Sequence, residues 1–187
     1  MISASHPIDW NPQRIAVSGV SGVGKTTLCK QIEEISGFPR VELDSLYHGE
    51  NWVPRETFVA EVQDFIKGPQ WVMELQYRQV RPLSVERADT VLWLDYSTPR
   101  QMFRLIKRTI PRSLFKTKLF NDNIEPPLWT IFKDPDHIVR WGWRTRNSLK
   151  KVTPTFEGRF APLTVVRLSS PKETKRWLRA YGESVKL

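Results

Sequence analysis

Gly19-Val20-Ser21-Gly22-Val23-Gly24-Lys25-Thr26 fits the pattern G-x-x-x-x-G-K-[ST] at every fixed position. Its flanks supply the context that pattern needs. Ahead of it, Arg14-Ile15-Ala16-Val17-Ser18 reads as a short buried strand. Behind it, Leu28, Ile32 and Ile35 recur at helical spacing over Lys25 to Ser36, with Gly37 placed to end the helix. A strand, a glycine turn and a helix in that order form a phosphate cradle. The glycines let backbone N–H groups approach phosphate oxygens, and the helix aims its positive end at the same anion. The expected nucleotide-binding set is therefore Gly19, Val20, Ser21, Gly22, Val23, Gly24, Lys25, Thr26 and Thr27. Lys25 should reach the β- and γ-phosphates as a point charge, and the Thr26 hydroxyl should ligate Mg2+. No NKxD-type guanine-reading motif is present, so ATP is expected rather than GTP.

Outward from the loop, strand and helix signals alternate. Arg40 to Leu43, Trp71 to Met73, Thr90 to Leu94 and Leu163 to Leu168 read as further strands, and Glu56 to Lys67 as a helix stopped by Gly68-Pro69. A longer helix opens at Thr98-Pro99, with Thr98 as cap and Gln101 as its capping-box partner. Met102, Phe103, Ile106 and Ile110 would be its buried stripe and Pro111 its end. Arg112 to Lys133 reads as irregular. Asp134-Pro135 opens a helix to about Lys151, and Pro171 to Ala180 a last one. The alternation predicts a three-layer α/β fold with a central parallel sheet of five strands, in a single domain over residues 1–187.

Ligands of such sheets sit at the carboxyl ends of the strands. Three carboxylates are predicted there: Asp44, Glu74 and Asp95. Mg2+ needs only one or two carboxylates beside phosphate and water. Glu74, after Trp71-Val72-Met73, is the leading candidate for the metal. Asp95 competes, because Val91-Leu92-Trp93-Leu94 is the more apolar run, and capping the next turn is an equal reading of it. Asp44 is placed either to accept a proton from a substrate hydroxyl or to cap a helix or order the metal's waters. The histidines His6, His48 and His137 show no ligand spacing and read as surface residues, and the single cysteine, Cys29, as a small buried one.

The charge is unevenly placed. The net charge is +9, and residues 100 to 151 hold 13 basic and 4 acidic side chains, while the other 16 basic residues are matched by 16 acidic ones. A local basic block argues for a polyanionic partner, either nucleotide phosphates or a nucleic-acid backbone. Arg100, Arg104 and Arg108 share one helix face, and Arg140, Arg144 and Arg146 recur on the later helix. The segment at about 108–152 thus reads as a basic, helical, lid-like insertion, with Arg104, Arg108 and Arg144 as candidates to stabilise charge on a transferring phosphoryl group. Trp129, Trp141 and Trp143 either pack it or stack on bases, with packing favoured. No apolar run reaches the length of a membrane span and no leader is visible. A reducing cytoplasmic setting with no membrane partner is expected.

The chain resembles the adenylate-kinase-like P-loop NTPases, and within them the DNA topology modulation proteins. The resemblance rests on Gly19 to Thr27, Leu43-Asp44-Ser45-Leu46-Tyr47, Asn51-Trp52-Val53-Pro54, Ala88 to Asp95 and Val166-Arg167-Leu168-Ser169-Ser170-Pro171. Where that family carries Asp-Gly-Asn-Tyr, this chain has Glu74-Leu75-Gln76-Tyr77. The resemblance implies ATP binding, a lid in the basic insertion, and Arg104 or Arg108 facing the phosphates. Two functions are expected from these signals. One is a kinase-like phosphotransferase acting with Mg2+ on a nucleoside, nucleotide or small hydroxyl metabolite. The other is an ATPase that binds nucleic acid through the insertion.

Overall fold

The strands are Ile2–Ser3 (β1), Arg14–Gly19 (β2), Arg40–Val41 (β3), Trp71–Leu75 (β4), Thr90–Leu94 (β5) and Thr164–Leu168 (β6). The helices are Lys25–Ser36 (α1), Leu43–Tyr47 (α2), Phe58–Phe65 (α3), Arg81–Arg87 (α4), Thr98–Leu114 (α5), Ile138–Arg144 (α6), Phe156–Arg159 (α7) and Pro171–Ser184 (α8). They come from a computed structural model that describes residues 1–160 and 162–185.

One sheet holds all six strands, in the order β1-β6-β5-β2-β4-β3, and every pairing is parallel. Strands β4 and β5 are buried along their whole length, which is why they read as apolar runs rather than alternating ones. Period-two geometry still sorts their side chains. Ile15 and Val17 face a core shared with Leu28 and Ile32 of α1 and Trp177 and Tyr181 of α8. Ala16, Met73 and Val91 face the opposite core, with Phe58 and Val62 of α3 and Val85 of α4. Strand β2 lies between β4 and β5, so the loop after β2 opens at the point where strand order reverses.

Several expectations need correction. The sheet has six strands, not five, because Ile2–Ser3 pairs with β6; a two-residue strand leaves no periodicity to read. Asp44 sits in the first turn of α2 rather than at a strand end, and Glu74 lies inside β4. Helix α5 runs through Pro111 to Leu114: the proline gives up its own N–H and crowds the carbonyl four residues back, yet only one turn follows it and Phe115 N still donates to Pro111 O at 2.9 Å. Neither Ser97 nor Thr98 makes a side-chain cap there. The helix predicted from Asp134 is shorter, Ile138–Arg144. The Asp134 carboxylate accepts from Asp136 N at 2.8 Å and holds a turn, and His137, 2% exposed rather than on the surface, is the actual cap. Cys29 is buried as read, and burial pushes its thiol pKa well up.

The orientation of α5 is reversed from expectation. Its buried residues are Gln101, Leu105 and Thr109. Phe103, Ile106 and Ile110 are exposed. The reason is close packing on α6: a Cβ at Gly142 would lie 2.3 Å from Leu105 Cδ2, so the seam between the two helices is narrow and centred on Leu105.

Candidate active site

The loop between β2 and α1 needs glycine twice. Gly22 has φ +83° and Gly24 φ +110°, both in the left-handed region. Space is short as well. A Cβ at Gly22 would meet Leu105 Cβ at 2.6 Å, and one at Gly24 would meet an Arg104 guanidinium nitrogen at 2.7 Å. Helix α5 therefore lies directly over the loop, and Gln101 Nε2 braces it by donating to Ser21 O at 2.8 Å. Helix α1 begins with no side-chain cap and no acidic residue in its first turn. Its first amides are left to an anion, where the helix dipole also favours negative charge.

Lys25 and Glu74 are both buried, at 8% and 4% exposure, and face each other across the loop. Lys25 Nζ stands 3.8 Å from Glu74 Oε2, and the Thr26 hydroxyl donates to Glu74 Oε1 at 2.6 Å. The register that sets Glu74 beside Val17 on β2 produces this convergence. The other metal candidate, Asp95, is turned away. Arg167 Nε and Nη2 donate to its Oδ2 at 2.9 and 2.6 Å.

Asp44 reaches the same region from α2. Gln76 Nε2 and the Tyr77 hydroxyl both donate to its Oδ1, at 2.7 and 2.6 Å. Burial and the Asp44 carboxylate raise the Tyr77 pKa far above the ordinary phenol range, so Tyr77 stays a donor. Burial also raises the Glu42 pKa, with Glu74 and Asp44 adding to it, so one wall of the site is acidic. Leu75, at the position where the resembled family has glycine, is buried in the core under the sheet.

The opposite wall is basic. Burial lowers the Arg108 pKa and Arg112 adds to that, while Glu125, Asp44 and Glu74 pull the other way. The side chain remains a cation, and its Nε is buried without a partner. Arg104 lies over Gly24 and 5.9 Å from the centroid of Tyr96. Arg144 does not join them: it is bound within its own segment to Asp136 at 2.8 Å and stacks on Trp141. Val20, Ser21, Val23 and Thr27 complete the loop, with Val23 in the core and Thr27 exposed.

Sequence reading missed a clasp. Asn123 Oδ1 accepts from Trp52 N at 2.8 Å, and its Nδ2 donates to Gly49 O and Phe120 O, each at 2.8 Å. Asn121 Nδ2 donates to Ser45 O and His48 O. Residues 118–124 thus hold the backbone that follows Asp44. A signal existed. Asn51 and Trp52 on one side, and Asn121 and Asp122 on the other, have positive φ between 51° and 61°, and asparagine is the residue that tolerates this.

The donors around Thr26 and Glu74 are oxygens, which suits a hard cation such as Mg2+. Among the described residues no group of three or more His, Cys, Asp or Glu is placed to hold a metal alone. The site would therefore offer a hydroxyl and one carboxylate, and phosphate and water would supply the rest.

No protein-family model matches the chain, and no curated protein does. Solved structures do. A gluconokinase from Sinorhizobium meliloti superposes with a TM-score of 0.52 at 18% identity, over 94% of each chain. A sugar kinase from a Janibacter species gives 0.52 at 18% identity, over 91% of this chain and 92% of that one. A shikimate kinase from Acinetobacter baumannii gives 0.50 at 12% identity, over 94% of this chain and 92% of that one. What is shared at these identities is the fold, a P-loop kinase-like α/β architecture. The narrower resemblance to DNA topology modulation proteins draws nothing from them.

Proposed function

We propose that the protein is a kinase-like phosphotransferase that moves the γ-phosphoryl group of ATP to a hydroxyl of a small molecule. One observation carries the reading: Glu74 receives the Thr26 hydroxyl at 2.6 Å while Lys25 stands 3.8 Å away, at the start of a helix that has no side-chain cap. The likeness in fold to sugar and shikimate kinases supports it.

In this reading the loop amides and Lys25 hold the phosphates. Thr26 and Glu74 would hold Mg2+, which when bound neutralises charge on the β- and γ-oxygens. Asp95 is left out, because Arg167 occupies it. Asp44, oriented through Oδ1 by Gln76 and Tyr77, uses Oδ2 to accept the proton of the attacking hydroxyl. The substrate's hydroxyl oxygen, its proton passed to Asp44, bonds to the γ-phosphorus as the bond to the β–γ bridging oxygen breaks and ADP leaves. Arg104 and Arg108 face the charge that develops, and the buried, unpartnered Nε of Arg108 is a donor such a site can offer its anion. Residues 108–152 act as the lid, clasped to the acceptor side by Asn121 and Asn123. Arg144 serves that lid from within.

A coupled assay for ADP release tests this against hydroxy acids, sugars, nucleosides and nucleotides. At least one acceptor should stimulate release, and Asp44→Asn should slow that reaction by roughly 10²–10⁴-fold. Lys25→Ala should abolish stabilisation by nucleotide. Silence across the panel with Mg-ATP binding intact would remove the proposal. The nucleic-acid reading has less support: Arg144 and Arg146 each already cover one face of Trp141 and Trp143, where a base would compete with them.

A further inference from the structure

Helix α5 turns its arginines toward the phosphate loop and its greasy face to water. Phe103, Ile106, Ile110 and Leu114 recur along that outer face and are 40–66% exposed. The strip does not end with the helix. Phe115 follows it, and Trp129 and Phe132 rise beside it, at 60–86% exposure for the three. Ile106, Ile110, Trp129 and Phe132 share the lining of one apolar cavity of about 330 Å³, which joins the helix face to residues 128–132. An exposed apolar surface of this kind marks an interaction site.

Its rim is cationic. Lys133 Nζ lies 5.4 Å from the centroid of the Trp129 ring, Lys107, Lys116 and Arg140 are exposed on the same segments, and the segment from 100 to 151 carries the whole excess charge of the chain. A second copy docked face to face would set that charge against itself. Nucleic acid would satisfy the cations but leave the aliphatic strip without a partner. An anionic bilayer surface answers both at once. Its headgroups take lysines on flexible stems, and its interfacial layer takes aromatic and aliphatic side chains. We propose that the outer face of α5 and residues 115–133 dock on an anionic phospholipid surface. The chain would then lie on a membrane rather than cross it: no described helix is long and apolar enough to span one.

The test uses the full chain with large vesicles of phosphatidylcholine alone, or of phosphatidylcholine and phosphatidylglycerol in equal parts. At low salt it should sediment with the second and not the first, and added salt should release it. Phe115→Ser with Phe132→Ser should weaken partitioning at least about tenfold. Lys107→Gln, Lys116→Gln and Lys133→Gln together should weaken it about a hundredfold. All five positions are exposed, so the urea midpoint and the far-UV circular dichroism should be unchanged and would report any misfolding. Equal binding to both vesicles, or to neither, overturns the proposal. So does self-association that the Phe variants abolish, or duplex DNA binding in place of vesicle binding.

Discussion

Glu74→Gln separates the two charges that Glu74 faces. In the free protein its partner is the Lys25 ammonium at 3.8 Å. At that distance, with an effective dielectric near 20, the gross attraction is about 4 kcal/mol. Part of it is offset, because glutamine still accepts from the Thr26 hydroxyl and the charge that must be desolvated is gone. A net loss of about 2 kcal/mol is expected, or a fall in Tm of about 4–8 °C for a chain of this size. Nucleotide binding should change in the opposite sense. With EDTA present, ATP brings its negative charge toward Glu74, so removing that carboxylate should tighten metal-free ATP. With Mg2+ present, the carboxylate proposed to hold the metal is missing, so the extra stabilisation that Mg2+ gives wild type should collapse. Urea unfolding gives the first quantity, and thermal scans with ATP–EDTA and ATP–Mg2+ give the second. A variant as stable as wild type that keeps its full Mg2+ increment would refute the placement of Glu74 beside both Lys25 and the metal.

Gly142→Ala places a Cβ 2.3 Å from Leu105 Cδ2 and should cost about 1–3 kcal/mol in urea unfolding, with Gln101 and the loop it braces loosened as α5 shifts. Asn123→Ala leaves Trp52 N and Gly49 O without their partner; about 1–3 kcal/mol of stability should go, and steady-state kinetics should show a larger rise in acceptor KM than in ATP KM. At the start of α8 the Ser169 amide and hydroxyl hold the Glu173 carboxyl below its usual range, so its ionised form is favoured by folding. Glu173→Gln should therefore lose about 0.2–1 kcal/mol at neutral pH, a small effect because solvent screens so exposed a charge. The gap to wild type should close as pH falls through and below the ordinary glutamate range near about 4, and a series of urea melts across pH reads it.

The strand, glycine turn and helix were legible because their requirements are local: two left-handed glycines, a lysine and a hydroxyl at fixed spacing, and a strand and helix on either side. The buried strands were legible because burial on both faces makes them apolar throughout. What depends on register was not. Nothing in Trp71 to Leu75 says that Glu74 will lie opposite Val17, or that Arg167 will stand beside Trp93 and claim Asp95. Likewise Asn123 reads as a loop residue until the backbone of Gly49 to Trp52 is folded against it, some 71 residues away in sequence.

Helix α5 shows why amphipathicity alone can mislead. A 3.6-residue pattern identifies two faces, and the usual rule sends the apolar one inward because no partner competes for it. Here the inward direction is the glycine loop after β2 and the carboxylates that face it, where Arg104 crowds Gly24 and Arg108 lies in the field of Asp44 and Glu74. The helix is anchored to the body by only a thin seam of Gln101, Leu105 and Thr109. That seam succeeds because Gly142 lets the next helix approach closely enough to cover Leu105 completely. The same geometry that delivers two cations to the loop therefore forces Phe103, Ile106, Ile110 and Leu114 outward. A chain that tolerates such a surface carries an aggregation hazard unless something covers it. The exposed cations beside it suit a cover that is anionic, so the proposed active site and the proposed docking face follow from one choice of helix rotation.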